Sequence, residues 1–465
     1  MSETTSVGES RCGPGWPMVK LADIATKIQD GTHFSPHSTS GPYRYLTSKN
    51  VRFGRMDIND SGWISDKEHR EIFSRCAVRF GDVLLTKDGA NTGNAALNSL
   101  TEQFSLLSSV AVIRTDDVSA HSPFILQYLL SPQGQQRLKD LMAGNAITRL
   151  TLEKIKAFTV PLPPMSRQRG IAQILTTLDN LIEKTENLIS KYRAVKQGMM
   201  HDLFTRGVDA HGKLRLPQSE APDLYKKSEL GWIPKEWNVR SLSDVGEVSG
   251  GVTLGRELAG TQVIQLSYLR VANVQDGYLD LSEVKTVSVL KSEVDRYALH
   301  AGDVLMTEGG DFDKLGRGTV WRGQIVPCLH QNHIFRVRPS TDLILPDFLA
   351  SVTASSIGKR YFLISSKQTT NLASINSTQL KKFRVPVPCL DEQTQFVSRL
   401  SAIDNCIDDE HSGLEKLRCL KSGLMQDLLT GRVQVRVDEE EQADSNARLS
   451  TASILHPCTR AHRRL

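Results

Sequence analysis

No apolar run in this 465-residue chain approaches the ~18 residues that a membrane-spanning helix needs. The sequence therefore predicts a soluble protein with no membrane partner. The first 15 residues carry early acids and no apolar stretch, so nothing there reads as a secretory signal. Cysteine is sparse: seven are scattered along the chain without a C-x-x-C pair. That pattern suits thiols in a reducing, cytoplasmic compartment and supports neither a disulfide framework nor a zinc site.

Catalytic signatures are missing as well. There is no G-x-x-x-x-G-K-[ST] loop, so ATP binding has no support. A nuclease needs clustered carboxylates to hold Mg²⁺, and no convincing set is found. The run Pro161-Leu162-Pro163-Pro164 lacks the Asn and the aromatic residue of an amino-methyltransferase Asn-Pro-Pro-Tyr motif. His330 and His333 lie three apart with no carboxylate or cysteine cluster beside them, which is a poor metal site. A net charge of +5 permits a polyanionic partner without requiring one.

What the chain does have is an internal repeat. Trp16-Pro-Met-Val-Lys-Leu21-Ala-Asp23-Ile24 is matched 221 residues later by Trp237-Asn-Val-Arg-Ser-Leu242-Ser-Asp244-Val245, and Gly81-Asp82-Val83-Leu84 recurs as Gly302-Asp303-Val304-Leu305. Val160-Pro161-Leu162-Pro163 matches Val385-Pro386-Val387-Pro388, and Asp202-Leu203 matches Asp427-Leu428, at an offset of 225. So long a period marks a duplicated domain, since solenoid units are much shorter.

Each copy has two unlike parts. The first shows short β-type runs between Gly, Asn and Asp, at 43–46, 77–79, 83–86 and 110–114 in the first copy, with a helical stretch at 123–141. The mixture makes the class α+β. The second part follows a proline brake and is a long amphipathic run. In the first copy the apolar heptad positions are Ile171, Ile174, Leu178, Leu181, Leu188, Tyr192, Val195 and Met199, with Thr185 between; in the second, Phe396, Leu400, Ile403, Ile407, Leu414, Leu417, Leu424 and Leu428 carry the stripe. At 1.5 Å per residue each helix would run roughly 60 Å.

Residues 166–205 carry a net charge of +2 and residues 391–430 a net charge of −4. This difference favours pairing of the two helices, although each could instead pack on its own globular part. The expected divisions are an N-terminal extension (1–13), a globular α+β domain (14–164), a helix (165–206), a linker (207–236), a second α+β domain (237–389), a second helix (390–432) and a disordered tail (433–465).

The order of these features resembles a family. Thr148-Arg-Leu150-Thr, the Val-Pro-Leu-Pro-Pro stop, Gln168 and Ile171 opening a long helix, and its Asp202-Leu-Phe-Thr end recur as 372–377, Val385 to Pro388, Glu392-Gln393 and Asp427-Leu-Leu-Thr. The linker Glu229-Leu-Gly-Trp232-Ile-Pro-Lys-Glu-Trp237 fits too. The chain is similar to the specificity subunits of type I restriction-modification systems. That resemblance implies two pseudo-two-fold-related globular recognition domains separated by two long antiparallel, coiled-coil-like helices. It also implies a non-catalytic role: each domain would read half of a split double-stranded DNA site, and the helices would dock two methyltransferase and two restriction/translocase subunits. S-adenosylmethionine, ATP and Mg²⁺ would belong to those partners. Because the two recognition regions differ in sequence, the expected target is asymmetric. The rival reading is an assembly scaffold that does not bind DNA.

Candidate DNA contacts follow from residue type and place. Asp30-Gly31-Thr32-His33 offers short polar side chains to bases or phosphates, though Asp-Gly also favours a plain turn. Lys87, Asp88 and Asn91 in a Gly-containing loop, with Glu308, Lys314 and Arg317 in the second copy, are candidates whose alternative is a solvated hairpin. Lys49, Asn50, Arg52, Arg270 and Asn273 follow strands and carry side chains suited to guanine, adenine or phosphate; Lys359, Arg360 and Lys367 suit phosphate. Any one of these could equally be an ordinary surface residue.

Overall fold

The computed structural model describes residues 16–142, 149–255, 258, 262–310, 315–316, 318–368 and 373–435. The chain divides into two units, Met1–Asn187 with His411–Leu465, and Leu188–Glu410. The first unit contains β1 (Met18–Lys20), α1 (Leu21–Ile24), β2 (Ala25–Asp30), β3 (Tyr43–Leu46), β4 (Gly62–Ile64), α2 (Asp66–Arg75), β5 (Val83–Thr86), β6 (Ala95–Leu97), β7 (Phe104–Leu106) and β8 (Val110–Thr115). These lead to α3 (Ser122–Leu130), α4 (Pro132–Met142), α5 (Leu152–Ala157), β9 (Thr159–Pro161) and the start of α6 (Met165–Arg206).

The second unit runs through β10 (Tyr225–Ser228), β11 (Gly231–Pro234), β12 (Asn238–Ser241), α7 (Leu242–Val245), β13 (Gly246–Gly250), β14 (Val263–Leu269), β15 (Lys285–Leu290), α8 (Val294–Tyr297), β16 (Val304–Thr307) and β17 (Gly309–Gly310). It continues with β18 (Gly318–Val320), β19 (Cys328–His330), β20 (Ile334–Pro339), α9 (Pro346–Ala354), α10 (Ser356–Ser365), β21 (Lys367–Gln368), β22 (Ala373–Ser374), α11 (Ser377–Lys381), β23 (Arg384–Val387) and α12 (Leu390–Leu429).

The repeat in sequence is a repeat in topology. The first unit's four-stranded sheet has the order β2-β8-β5-β6, and the second unit's has β13-β20-β16-β18; both are antiparallel. Each is accompanied by a three-stranded sheet, β4-β3-β7 or β15-β14-β19, with one antiparallel and one parallel pairing. A two-stranded ribbon, β1-β9 or β12-β23, brings the start of each copy to its proline stop. Two ion pairs on a buried aspartate recur just before β5 and β16: half-buried Arg114 on Asp82 and Arg338 on Asp303, each through two hydrogen bonds of 2.7–2.8 Å.

Some expectations are corrected. Residues 77–79 form no strand; they turn into β5, held by Asp82 accepting from the Arg79 N–H and by Arg114 donating to the Ala77 carbonyl. The helix expected at 123–141 is two helices broken at Ser131, because Pro132 has no N–H to donate and forces its predecessor into extended backbone. Within the expected linker 207–236, Tyr225 to Pro234 form a hairpin with Tyr225 and Ile233 buried, leading to the fully buried Trp237. Val435, in the expected tail, packs on the first unit's core; residues 1–13 and 436–465 lie outside the described residues.

The helices are not bodies of their own. In the first unit Ile171 and Leu175 of α6 share a core with Met425 and Leu428 of α12; in the second, Leu203 and Phe204 share one with Phe396 and Leu400. Within each unit the pairing is antiparallel, since residue numbers rise along one helix as they fall along the other. Matching ion pairs sit in the two seams, Lys421 with Asp179 and Lys196 with Asp404. Each helix ends on a glycine of positive φ, Gly207 (64°) and Gly431 (73°), where only glycine is unstrained. A tryptophan packs on each, Trp237 on Gly207 and Trp16 on Gly431.

The heptad register in α6 also needs correction. Leu181 and Val195 are 44% and 46% exposed, while Leu175 and Ile189 are buried. The alternate seam position thus falls one residue later than Ile174, Leu181 and Leu188, whereas Ile171 and Leu178 are buried as expected. In α12, Phe396, Leu400, Ile407, Leu414 and Leu428 are buried and Ile403, Leu417 and Leu424 are half-buried. Whole-helix charge also misleads. Arg418 and Lys421 of α12 are the cations in the first unit, facing Glu186 and Asp179 of α6. Of the three α6 lysines Lys184, Lys191 and Lys196, the first two are exposed.

Candidate nucleic-acid interface

The loops singled out in the first unit converge at one edge of its two sheets. The strand β2 ends at Asp30, and Gly31 crosses so close to β7 that a β-carbon there would overlap the Leu106 carbonyl. Gly251 meets the His330 carbonyl in the same way in the second copy. Close approach, rather than turn geometry, is therefore what requires glycine after β2 and β13. The loop after β3 joins this edge through the Ser48 N–H, which donates to Ser109 Oγ (3.2 Å), and the Lys87 N–H donates to the Ser109 carbonyl (2.9 Å). Leu150 closes the edge by donating to the Lys87 carbonyl, which brings Arg149 to Asp88.

At the centre of this edge Lys87 Nζ lies 3.1 Å from Asp30 Oδ2, both side chains 3% exposed. Around the pair stand His33 (3.6 Å from Asp30), Arg75 (3.6 Å from Asp30) and Arg149 (3.6 Å from Asp88), each about half exposed. Lys49 and Arg52 are exposed, Arg52 beside Asp57 at 3.5 Å, and Asn91 is half-buried. The result is a buried ion pair ringed by exposed arginines, a lysine and a histidine, an arrangement that can hold a phosphate backbone.

Five candidates have a different place from the one expected. Asp30 and Lys87 are buried against each other, so their side chains do not face a ligand. Asn50 is buried, donates to the Asp57 and Asp60 carbonyls and accepts from the Thr47 N–H; Asn273 does the same with the Asp280 and Glu283 carbonyls and the Arg270 N–H. These asparagines staple their loops, and their presence in both copies was the sign of a frame residue. Thr32 is also buried, bridged to Leu107. Conversely, Arg75 and Arg149 were not singled out: Arg149 lies inside the repeated motif, while nothing in its spacing marks Arg75.

The second unit keeps the frame and changes the edge. Where the first has Asp30 and Lys87, it has Gly250 and Glu308, and Glu308 accepts from His333 at 2.6 Å. Arg270 is half-buried beside Glu283 at 3.3 Å. The short sheet β17-β22-β21 extends outward from β16, and Lys359 and Arg360 are exposed on α10. Lys314 and Arg317 lie outside the described residues, and Lys367 is described only as a backbone position of β21. His330 is fully buried with Nδ1 2.9 Å from the Ile334 carbonyl, and burial pushes its pKa down to about 4. Among the described residues no three His, Cys, Asp or Glu side chains are grouped to hold a metal ion. No helix of the described residues is long and apolar enough to cross a membrane.

Each recognition part is fixed to its helix by one glutamine. Gln168, fully buried, accepts from the His121 N–H and donates to the Ser119 and Pro163 carbonyls, all at 2.8 Å. Gln393 repeats this with the Leu345 N–H and the Leu343 and Pro388 carbonyls at 2.8–3.0 Å. In the second unit Glu392 adds a buried carboxylate accepting from Trp237 Nε1 (3.0 Å), Arg215 (2.7 Å) and the Val208 N–H (2.8 Å).

The fold is one frame built twice, with unlike exposed loops on each copy. The family model described as the type I restriction modification DNA specificity domain matches residues 14–191 and again 234–418. The chain belongs to this family. The MjaVIII type I restriction enzyme specificity subunit of Methanocaldococcus jannaschii is 26% identical over 431 residues, covering 90% of this chain and 93% of that protein. The EcoKI specificity subunit of Escherichia coli K12 is 20% identical, covering 95% and 94%. In fold the chain is similar to the crystal structure of a type I restriction-modification S subunit from M. genitalium, with a TM-score of 0.56, 15% identity, and coverage of 90% of this chain and 97% of that one.

Proposed function

We propose that this chain is the cytoplasmic, non-catalytic DNA-reading subunit of a type I restriction-modification complex. Each unit reads one half of an asymmetric, bipartite duplex site, and the paired helices dock two methyltransferase and two restriction/translocase subunits. S-adenosylmethionine, ATP and Mg²⁺ act on those partners. The observation that carries this reading is the contrast between the parts that repeat and the parts that do not. Glutamine anchors, the Asp82–Arg114 and Asp303–Arg338 ion pairs and helix ends are duplicated; the edge with His33, Lys49, Arg52, Arg75, Asp88, Asn91 and Arg149 in one unit has become one with Arg270, Glu308 and His333 in the other, whose α10 also carries exposed Lys359 and Arg360. Identical partners need a repeated frame, while an asymmetric target needs unlike readers.

Co-expression with the modification subunits, followed by mapping of methylated adenines across a genome, tests the proposal. One asymmetric motif of two defined parts around an undefined gap is expected. A stable complex that methylates and binds no sequence selectively would make the chain a scaffold instead. Methylation or cleavage by the isolated chain would make it an enzyme.

A further inference from the structure

Helix α10 presents a face that its counterpart α4 does not. Lys359 and Arg360 are exposed on one turn, and Leu363 and Ile364, 41% and 76% exposed, follow on the next turn of the same face. The opposite face, Gly358 and Phe362, is buried. At the matching positions α4 has Gln135, Gln136, Lys139 and Asp140, so the apolar pair is peculiar to the second unit.

The position of this face ties it to the candidate binding edge. Three residues beyond Ile364 the chain enters β21, which pairs with β22, which in turn pairs with β17 at the outer end of β16. The loop that follows β17 returns to α10 as well, with Gly316 lying so close to the Phe362 ring that a β-carbon would overlap it. The exposed turn thus leads directly into β21, and the buried face of the same helix packs on Gly316, next to the segments that differ between the copies.

A single exposed aliphatic residue is ordinary. Two adjacent ones with two cations one turn away on the same face are the composition of an apolar wedge. Such a wedge enters between base steps from the minor groove while neighbouring cations take the flanking phosphates. We infer that α10 inserts Ile364, with Leu363 beside it, into the minor groove of the half-site read by the second unit, unstacking one base step and bending the duplex there. Lys359 and Arg360, one turn earlier on the same face, hold the neighbouring phosphates. The inference rests on the reading of this chain as a duplex-DNA reader. Its consequence for specificity is a preference for an easily unstacked pyrimidine–purine step at the insertion point.

The test uses the full chain assembled with its modification subunits and a duplex carrying the methylation-mapped site, with 2-aminopurine placed at successive positions of the second half-site. Wild type should raise the fluorescence at one step. Leu363→Ser with Ile364→Ser should abolish that rise and weaken binding to this duplex roughly ten- to a hundredfold, leaving affinity for a scrambled duplex unchanged. Ile364→Phe keeps an apolar wedge and should keep the fluorescence rise, which also guards against misfolding of the serine variant. Selective binding and fluorescence that the serine variant retains would overturn the wedge alone. Loss of modification subunits from that variant, with DNA readouts unchanged in the complex that remains, would assign the patch to a protein partner. A wild-type complex that prefers no duplex would overturn the DNA reading itself.

Discussion

Replacing Gln168 or Gln393 by leucine tests the duplicated frame most directly. Each glutamine is fully buried and satisfies three backbone groups that sit in the proline stop and in the loop entering α3 or α9. Leucine has nearly the same volume, so no cavity opens; what is lost is the set of partners. Each buried group left without one costs about 1–3 kcal/mol. Allowing about 1–2 kcal/mol back from the added apolar surface, the net loss from three such groups should be roughly 1–8 kcal/mol, centred on about 4–5 kcal/mol and confined to the unit that carries the change. Peptide-resolved hydrogen exchange reads this locally. At the centre of that range Gln168→Leu should lower protection of the His121 amide by about a thousandfold, ~4 kcal/mol, and leave the Leu345 amide untouched. Gln393→Leu should do the reverse. If either variant kept protection within about threefold of wild type, or if the loss appeared in the other unit, the glutamines would not be the anchors described.

The helix seams give a second expectation. Lys196→Glu and Lys421→Glu should each weaken pairing by about 0.5–1 kcal/mol, since these pairs are partly exposed. Lys184→Glu and Lys191→Glu should do little, and Asp404→Lys should recover Lys196→Glu in urea denaturation; equal effects of all four lysines would refute the local pairing. A third concerns pH. Burial holds His330 neutral in the fold down to about pH 4, whereas the unfolded chain takes up a proton near the ordinary value of about 6.5. Its contribution is therefore complete above about pH 6.5 and is lost as pH falls towards 4, by about 2 kcal/mol between pH 7 and 5. His330→Asn should flatten that part of the stability profile, and an unchanged slope between those pH values would show that His330 is not its source.

Sequence alone determined the duplication, the α+β class and the two long helices. Repeated motifs, proline stops and apolar period are local signals, and the helix starts at Met165 and Leu390 follow directly from the prolines before them. It also determined that the frame would repeat and the loops would not. Which candidates face outward was decided only by the tertiary structure. Asp30 and Lys87 are 57 residues apart in sequence, and only the convergence of β2 and β5 beside β8 buries one charge against the other. The same holds for the helix seam. A heptad pattern fits two registers one residue apart, and the choice between Leu181 and Ile182 rests on what the facing helix and the recognition part supply. Charge counted along a whole helix could not foresee that Lys421 and Lys196, on different helices, make the same bond in each copy. Electrostatic pairing acts over a few ångströms, a distance that folding sets and sequence order does not.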